Sequence, residues 1–428
     1  MTTTPATASA AFTSNSTAPG VIVDGYGTGN YVSDAFAALG ADLVHVQSSR
    51  DPITRMVQPD LTKYSAAMVY EAGVTEHELA EIGVSFVVPG QEPGVNLADQ
   101  LSEALGVRTN GTELSAARRN KFEMIRAVAE AGLLTARQLI VSDPAEAVAW
   151  AETVGGWPCV AKPLASASTD SVSICNNAAE LESGVRAVLN STTVFNFDNN
   201  DVLIQSYLSG TEYIVDTVSL DGESHVCGVW QYEKTLLPNG KPIYNRDILV
   251  AENDPVVTVL TEYTRRVLDA VGIDNGPAHT EIMLTEDGPA LIEVGARTNG
   301  NMHPEFHDRC LGTNAARLTA EVYLEPAQFS ARYAGRTYSR QQPAVVYNVP
   351  TSQSGTIVGV DDEVVARIRG RESVFGVTVK RHPGDVLVPT HDLLTSPIRV
   401  FMTSDDQGVL DDDYRFVESV SDDVFALR

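Results

Sequence analysis

Apolar and polar positions along the chain first fall into short, strand-like runs. Val21-Ile22-Val23 is followed by a glycine-rich turn, Asp24-Gly25-Tyr26-Gly27-Thr28-Gly29-Asn30, a helical stretch to Leu39, Gly40 and a second apolar run, Leu43-Val44-His45-Val46. Strand, glycine turn, helix and strand in this order begin a parallel α/β layer. Phe86-Val87-Val88 then leads into Pro89-Gly90-Gln91-Glu92-Pro93-Gly94. That turn falls at the C-terminal end of a strand, where open α/β sheets place ligands, so Glu92 is a candidate substrate contact. Further on, residues 158–163 and 202–208 read as short buried strands, and two longer strands flank Asp221-Gly222. Asp254 as N-cap, Pro255 at N1 and Gly272 bracket a helix over 255–271. From about 340 onward the pattern is short strands and glycine turns, such as 355–360, and no internal repeat occurs.

The segment with most chemical content lies near position 290. Residues 279–284 and 289–294 are apolar runs on either side of Glu286-Asp287-Gly288, which predicts a β-hairpin. A three-residue loop with Gly288 in the left-handed position sets Glu281 opposite Glu293; a two-residue loop sends them to opposite faces. The three-residue loop is the expected one. The two carboxylates would then face each other roughly 5 Å apart at Cβ, and two like charges at 4 Å cost about 4 kcal/mol at an effective dielectric near 20. A divalent cation removes that cost. Hard oxygen donors suit Mg²⁺, which usually takes one or two protein carboxylates and completes its shell with phosphate oxygens and water. The plain alternative is a solvated hairpin with scattered acids.

Composition narrows the setting. A chain of 428 residues predicts two to four domains, and 43% hydrophobic with 20% charged residues describes a soluble globular protein. The formal net charge of -26 argues against nonspecific binding to nucleic acid or to anionic membranes. Any polyanionic ligand must be met by local basic residues. Cys159, Cys175, Cys227 and Cys310 have no paired spacing, which excludes a disulfide framework or a zinc site and suits a reducing cytoplasm. Residues 1–20, rich in Thr, Ser and Ala without a basic start or apolar core, read as a disordered tail and not a signal peptide. No run is long enough to span a bilayer.

Local basic residues do occur. A helix over 116–125 carries Arg118, Arg119 and Lys121, and the buried strand 158–163 carries Lys162, which must find an anion. The loop that follows, 164–172, holds Ser166, Ser168 and other small hydroxylated residues, and its backbone amides suit phosphate oxygens. The Gly25, Gly27 and Gly29 spacing lacks the third glycine of a dinucleotide fingerprint, since Asn30 stands where it belongs and Gly29 is one place away. His279 and His303 are candidates for accepting a proton, against the bland alternative of histidines satisfied by local hydrogen bonds.

The order of these parts resembles the ATP-grasp superfamily. The match rests on Lys121, Val160-Ala161-Lys162-Pro163, Ile204-Gln205-Ser206-Tyr207-Leu208 with Gly210-Thr211-Glu212, Glu281, and Leu291-Ile292-Glu293-Val294-Gly295-Ala296-Arg297. Within it, the chain is most similar to the L-amino-acid ligases that join amino acids into dipeptides, through residues 89–95, 108–112, 230–234 (with Trp230) and 293–297. The resemblance implies an α/β fold (an α+β composite): a tail over 1–20, an N-terminal α/β domain over 21–115, an ATP-grasp domain over 116–325 with a lid at about 135–205, and a strand-rich C-terminal lobe over 326–428.

It also implies roles. Lys121 and Lys162 contact the ATP phosphates under a loop holding Ser166 and Ser168, Gln205 to Leu208 form the adenine hinge, and Glu212 takes the ribose hydroxyls. Glu281 and Glu293 hold Mg²⁺, Arg297 faces the transferred phosphoryl or the acyl oxygen, and the backbone at Gly300 completes an oxyanion site. Glu92, Trp230, His279 and His303 are the substrate candidates. The implied reaction joins a carboxylate to an amine, both small molecules, through an acyl phosphate, in an enzyme that resembles dimeric relatives. Alternatives are a different or carrier-bound acceptor, and nucleotide binding without turnover. Two departures stand out: the phosphate loop has Ala167, Ser168 and Ser171 where relatives have glycines, and Gly295 stands where many relatives have asparagine.

Overall fold

The computed structural model describes residues 18–54, 56–166, 170–195, 197–236 and 242–428. The expected N-terminal tail therefore lies almost wholly outside the described residues, as does Ser168 of the phosphate loop. The mixed α/β fold expected from the sequence is the one observed, with a four-stranded parallel sheet and antiparallel sheets of eight, four and three strands among the described residues.

Strands β1 (Gly20–Val23), β2 (Leu43–Gln47), β3 (Ala66–Val69) and β4 (Phe86–Pro89) form a parallel sheet in the order β3-β2-β1-β4. The fully buried Val21-Ile22-Val23 run makes β1 a central strand, covered on both faces. The glycine turn after β1 serves chain-to-chain contact. A Cβ at Gly29 would lie 2.7 Å from the carbonyl oxygen of Gly90, and one at Gly90 would lie 2.7 Å from Cα of Gly25. Only glycines let the loop after β1 lie directly on the loop after β4, and this contact seats Glu92.

A four-stranded antiparallel sheet, β5 (Gln138–Val141), β6 (Cys159–Lys162), β7 (Ser173–Cys175) and β8 (Val202–Ser206), is ordered β5-β8-β6-β7. It packs on its own helices through Leu181, Val185 and Val188, a core separate from the rest. Lys162 ends β6, and the chain then crosses to the helix Lys121–Glu130, where the Lys121 amide donates to the Leu164 carbonyl at 2.9 Å.

The largest element is an eight-stranded antiparallel sheet. It comprises β9 (Thr211–Leu220), β10 (Glu223–Leu236), β11 (Pro242–Leu249), β12 (Gly276–Thr285), β13 (Gly288–Gly295) and β14 (Ala344–Val349), and β15 (Gly355–Val360) lies outside it. With β16 (Val374–Val379), β17 (Val386–Leu387) and β18 (Ile398–Thr403) named, its order is β13-β12-β9-β10-β11-β14-β18-β16. β14, β16 and β18 thus extend the sheet that carries the acids, while β17, β15 and β19 (Phe425–Leu427) form a small sheet of their own. The helix Pro255–Val271 starts on Asp254, whose side chain accepts from the Val256 amide, and stops at Gly272 with φ +66°, as its caps predicted.

The hairpin of β12 and β13 corrects one expectation. Thr285 pairs with Gly288, so the loop has two residues, Glu286 and Asp287, and not three. That register alone would place Glu281 opposite Ile292. A β-bulge intervenes: Ile282 pairs with Leu291 but Glu281 pairs with Glu293, so Ile292 is the extra residue and the register shifts by one. The bulge restores what the short loop would have lost, and the two carboxylates share one face.

Candidate active site

Glu281 and Glu293 face each other across β12 and β13, and each has a cationic neighbour. The Lys121 ammonium donates to Glu293 Oε1 at 2.7 Å and to the Ser166 carbonyl at 2.7 Å. Asn120 caps the helix that presents Lys121, accepting from the amides of Phe122 and Glu123. His279 stands between Asp216, at 2.7 Å from Nδ1, and Glu281, at 3.3 Å from Nε2. Burial alone would lower the His279 pKa, but these two carboxylates outweigh it and raise it to about 9. The imidazole is therefore a positively charged bridge at neutral pH. For Glu281, burial acts to raise the pKa, and His279, Arg297 and Lys121 together bring it below the ordinary glutamate value. The repulsion anticipated from the sequence is thus already offset in part by protein cations.

Lys162 is buried and makes no ion pair with a described residue. Burial and the nearby Lys121 lower its pKa to about 8 against the pull of Glu293, Glu281 and Glu212. A buried ammonium without a direct partner is a place for an anion to enter. Ser166 is buried beside it, its hydroxyl 2.6 Å from Asp170 Oδ2. Glu212 is buried as well and is engaged by the Lys234 ammonium and, at 2.9 Å, by the Tyr244 hydroxyl. Burial raises its pKa, Lys234 lowers it and Glu281 raises it again, leaving it above the ordinary value. On β8, Gln205 and Ser206 pair with β6, and Tyr207 and Leu208 leave the ladder with Tyr207 exposed.

Glu92 has a sharper position than the sequence suggested. It is 2% exposed; Oε1 accepts from Arg119 and Oε2 from Nε of Arg297 at 2.8 Å. Burial raises its pKa, but Arg119, Arg297 and Lys121 outweigh it and bring it down to about 2. This ion triad also accounts for Gly295. A Cβ there would lie 2.9 Å from Glu92 Oε2, so the space that an asparagine would need is filled by the carboxylate that orients Arg297. Arg297 Nη1 donates to the Thr298 carbonyl at 3.0 Å, which further fixes the guanidinium.

Trp230 is buried against Phe306 and His307, and it borders a small cavity with Asp216, Asn299 and Asn314. His303 packs on Tyr31, Phe375 and Phe401, and burial lowers its pKa. Gly300 is exposed with open space where a Cβ would stand. A further depression between Arg246 and Tyr414 holds none of these groups. Asp216 was not singled out from the sequence, and the side-chain partners of Arg119 and Asn299 were not foreseen. The signal for Asp216 was present, since an acid inside the apolar run 213–220 must be paired.

Lysines on a helix and on a separate small sheet stand near two facing carboxylates beside a fixed guanidinium, an arrangement whose charges suit a nucleotide phosphate chain. Comparison with known proteins supplies the particular family. Residues 156–305 match the ATP-grasp domain. The chain is 32% identical to dapdiamide A synthase from Enterobacter agglomerans over 414 residues, 95% of this chain and 96% of that protein. It is 25% identical over 253 residues to the L-arginine-specific L-amino acid ligase of Bacillus subtilis, 58% of this chain and 60% of that protein. In fold it is similar to the L-amino acid ligase from Bacillus licheniformis, with TM-score 0.72, 19% identity and coverage of 97% and 99% of the two chains. The carboxyaminoimidazole ribonucleotide synthase of Aspergillus clavatus, solved with ATP, gives TM-score 0.71 at 13% identity, covering 95% and 99%. The chain belongs to the ATP-grasp ligases, in the branch that contains the L-amino acid ligases. It is an ATP-dependent, ADP-forming carbon–nitrogen ligase.

Proposed function

We propose that the enzyme condenses the carboxylate of one amino acid or amino-acid-like acid with the amine of another through an acyl phosphate. The observation that carries this reading is the Glu281–Glu293 pair, with Lys121 and Lys162 on one side and the Glu92-oriented Arg297 on the other. Among the described residues no group of three or more His, Cys, Asp and Glu side chains is arranged to hold a metal. Two facing carboxylates fit Mg²⁺ as a shared ligand set, the remaining positions falling to nucleotide oxygens and water. Bound there, Mg²⁺ would neutralise phosphate charge during transfer.

In this reading the Lys121 ammonium leaves Glu293 for phosphate oxygens as the nucleotide enters, and Lys162 gains the anion it lacks. Glu212 takes the ribose, exchanging part of its contact with Lys234 and Tyr244, and the segment at Gln205 to Leu208 holds the base. Ser166 and Ser168 belong to the loop over the phosphates. The donor carboxylate attacks the γ-phosphoryl group, and Arg297 steadies the charge on the acyl oxygen with the Gly300 backbone beside it. The β5–β8 sheet serves as the lid that keeps water from the acyl phosphate. His279, already protonated between two acids, holds Glu281 in place. Trp230 and His303 line the space for the substrates.

A pairwise amino-acid screen for phosphate release with ATP and Mg²⁺, followed by mass analysis of positive wells, tests the reading. A dipeptide or related amide formed with stoichiometric ADP is the expected product. Absence of phosphate release across a broad panel would count against it.

A further inference from the structure

The hydrogen-bonded path that starts at Glu281 does not end at Asp216. From His279 and Asp216 it passes to Asn299, whose Nδ2 donates to Asp216 Oδ2 at 3.1 Å. Asn299 Oδ1 accepts from the Asn301 amide at 2.8 Å, and Asn301 Nδ2 donates to Asp247 Oδ2 at 2.9 Å. Asp247 lies on β11 opposite Tyr232 of β10, whose hydroxyl is 3.4 Å from Glu281. On its other side Asp247 pairs with Val346, in a register that sets Asn348 opposite Arg399. Side chains on one face of a sheet recur every second residue, so Asp247, Asn348 and Arg399 share the face that carries Glu281 and Glu293.

This far end of the polar face has unmet bonding capacity. Asp247 is 2% exposed and Asn348 1% exposed, yet Oδ1 of Asp247 and Nδ2 of Asn348 have no hydrogen-bond partner among the described residues. Arg399 donates through Nε to Asn348 Oδ1 at 3.0 Å, and no ion pair engages its guanidinium among the described residues. The charges there are only partly compensated. Burial raises the Asp247 pKa to about 6, and burial with the cations Arg399 and Arg381 lowers that of Lys380 to about 6. An added ligand with one cationic and one anionic group would relieve both.

We propose that Asp247 and Arg399 form the subsite for the acceptor, an α-amino acid with a free carboxylate. The Arg399 guanidinium, oriented by Asn348, takes the carboxylate, and the open Oδ1 of Asp247 accepts a hydrogen bond from the ammonium. This assignment presupposes the ligase reaction proposed above.

Arg399→Gln and Asp247→Asn test it with three acceptors for one donor: a free amino acid, the same amino acid as its carboxamide, and hydroxylamine, which traps the acyl phosphate and has no carboxylate. Losing a charged hydrogen bond lowers kcat/KM about 10- to 100-fold, and this loss is expected for Arg399→Gln with the free amino acid. The carboxamide and hydroxylamine rates should change little, erasing the wild-type preference for the free acid. Asp247→Asn should raise the KM for both amino-acid acceptors and leave the KM for ATP and donor in place. An equal loss with all three acceptors in Arg399→Gln, or an unchanged preference for the free carboxylate, would overturn the subsite. Failure of the wild type to form a hydroxamate from any amino acid would overturn the ligase reaction itself, and the subsite with it.

Discussion

Replacing Glu92 by glutamine removes one negative charge from between two buried guanidiniums while keeping the shape of the side chain. In the native protein Arg119 and Arg297 both bond to this carboxylate, and its pKa falls from 4.5 to about 2. A depression of that size corresponds to about 3 kcal/mol, and breaking a buried ion pair typically costs about 3 to 5 kcal/mol. With an unfolding entropy of about 2.1 cal/mol/K per residue, a chain of this length that melts as one unit should lose about 3 to 6 °C in Tm. The sign with pH follows from the depressed pKa. The stabilisation is present above the unfolded-state pKa near 4.5 and is lost as pH falls towards 2, so the gap between wild type and Glu92→Gln should close over that interval. Thermal melts at a series of pH values measure this. Turnover should also fall, by about 100-fold at neutral pH, because Arg297 loses the partner that aims it. A variant with wild-type Tm and wild-type kcat would refute the ion triad as the device that orients Arg297.

Further outcomes follow from the same geometry. Lys121→Met should raise the KM for ATP by about 10- to 100-fold, as expected for a lost charged hydrogen bond, with a smaller effect on the KM for either amino acid; steady-state kinetics with each substrate varied in turn would check this. His279, raised to about 9, contributes stability that is complete below pH 6.5 and is lost as pH rises through 9, so the excess of the wild-type denaturant midpoint over that of His279→Asn should shrink between pH 7 and 10, a difference in which the titration of Lys162 cancels. Gly295→Asn should displace Glu92, because a Cβ already lies 2.9 Å from its carboxylate, and should lower kcat without raising the KM for ATP; a fully active variant would contradict the packing explanation of this glycine.

The legible and illegible parts of the molecule divide along physical lines. Lys162 and Glu293 were readable because a charge inside an apolar strand must have a reason, and the helix Pro255–Val271 because both of its caps are local. The pairing of Glu281 with Glu293 was reached through a loop of the wrong length. Asp-Gly signals a turn without fixing its size, and the bulge at Ile292 has no local sequence mark. Gly25, Gly27 and Gly29 come close to a dinucleotide fingerprint in sequence, whereas in the fold Gly25 and Gly29 let their loop touch Gly90 of the next. Arg399 followed the same rule as Lys162, a charge within the apolar run 398–402, but its partners come from β11 and β14, and no spacing along the chain brings those strands together. Gly295 read as a departure only because Glu92, two hundred residues earlier, was not yet known to fill the space beside it.

The role proposed for the facing acids on β12 and β13 is transfer of the γ-phosphoryl group of ATP to a substrate carboxylate. Following ¹⁸O from a labelled donor carboxylate into the released phosphate tests this most directly. Each phosphate formed with ADP should carry one donor oxygen, and Glu281→Gln and Glu293→Gln should both abolish the labelled product. Unlabelled phosphate, or release of AMP and pyrophosphate in place of ADP, would contradict it.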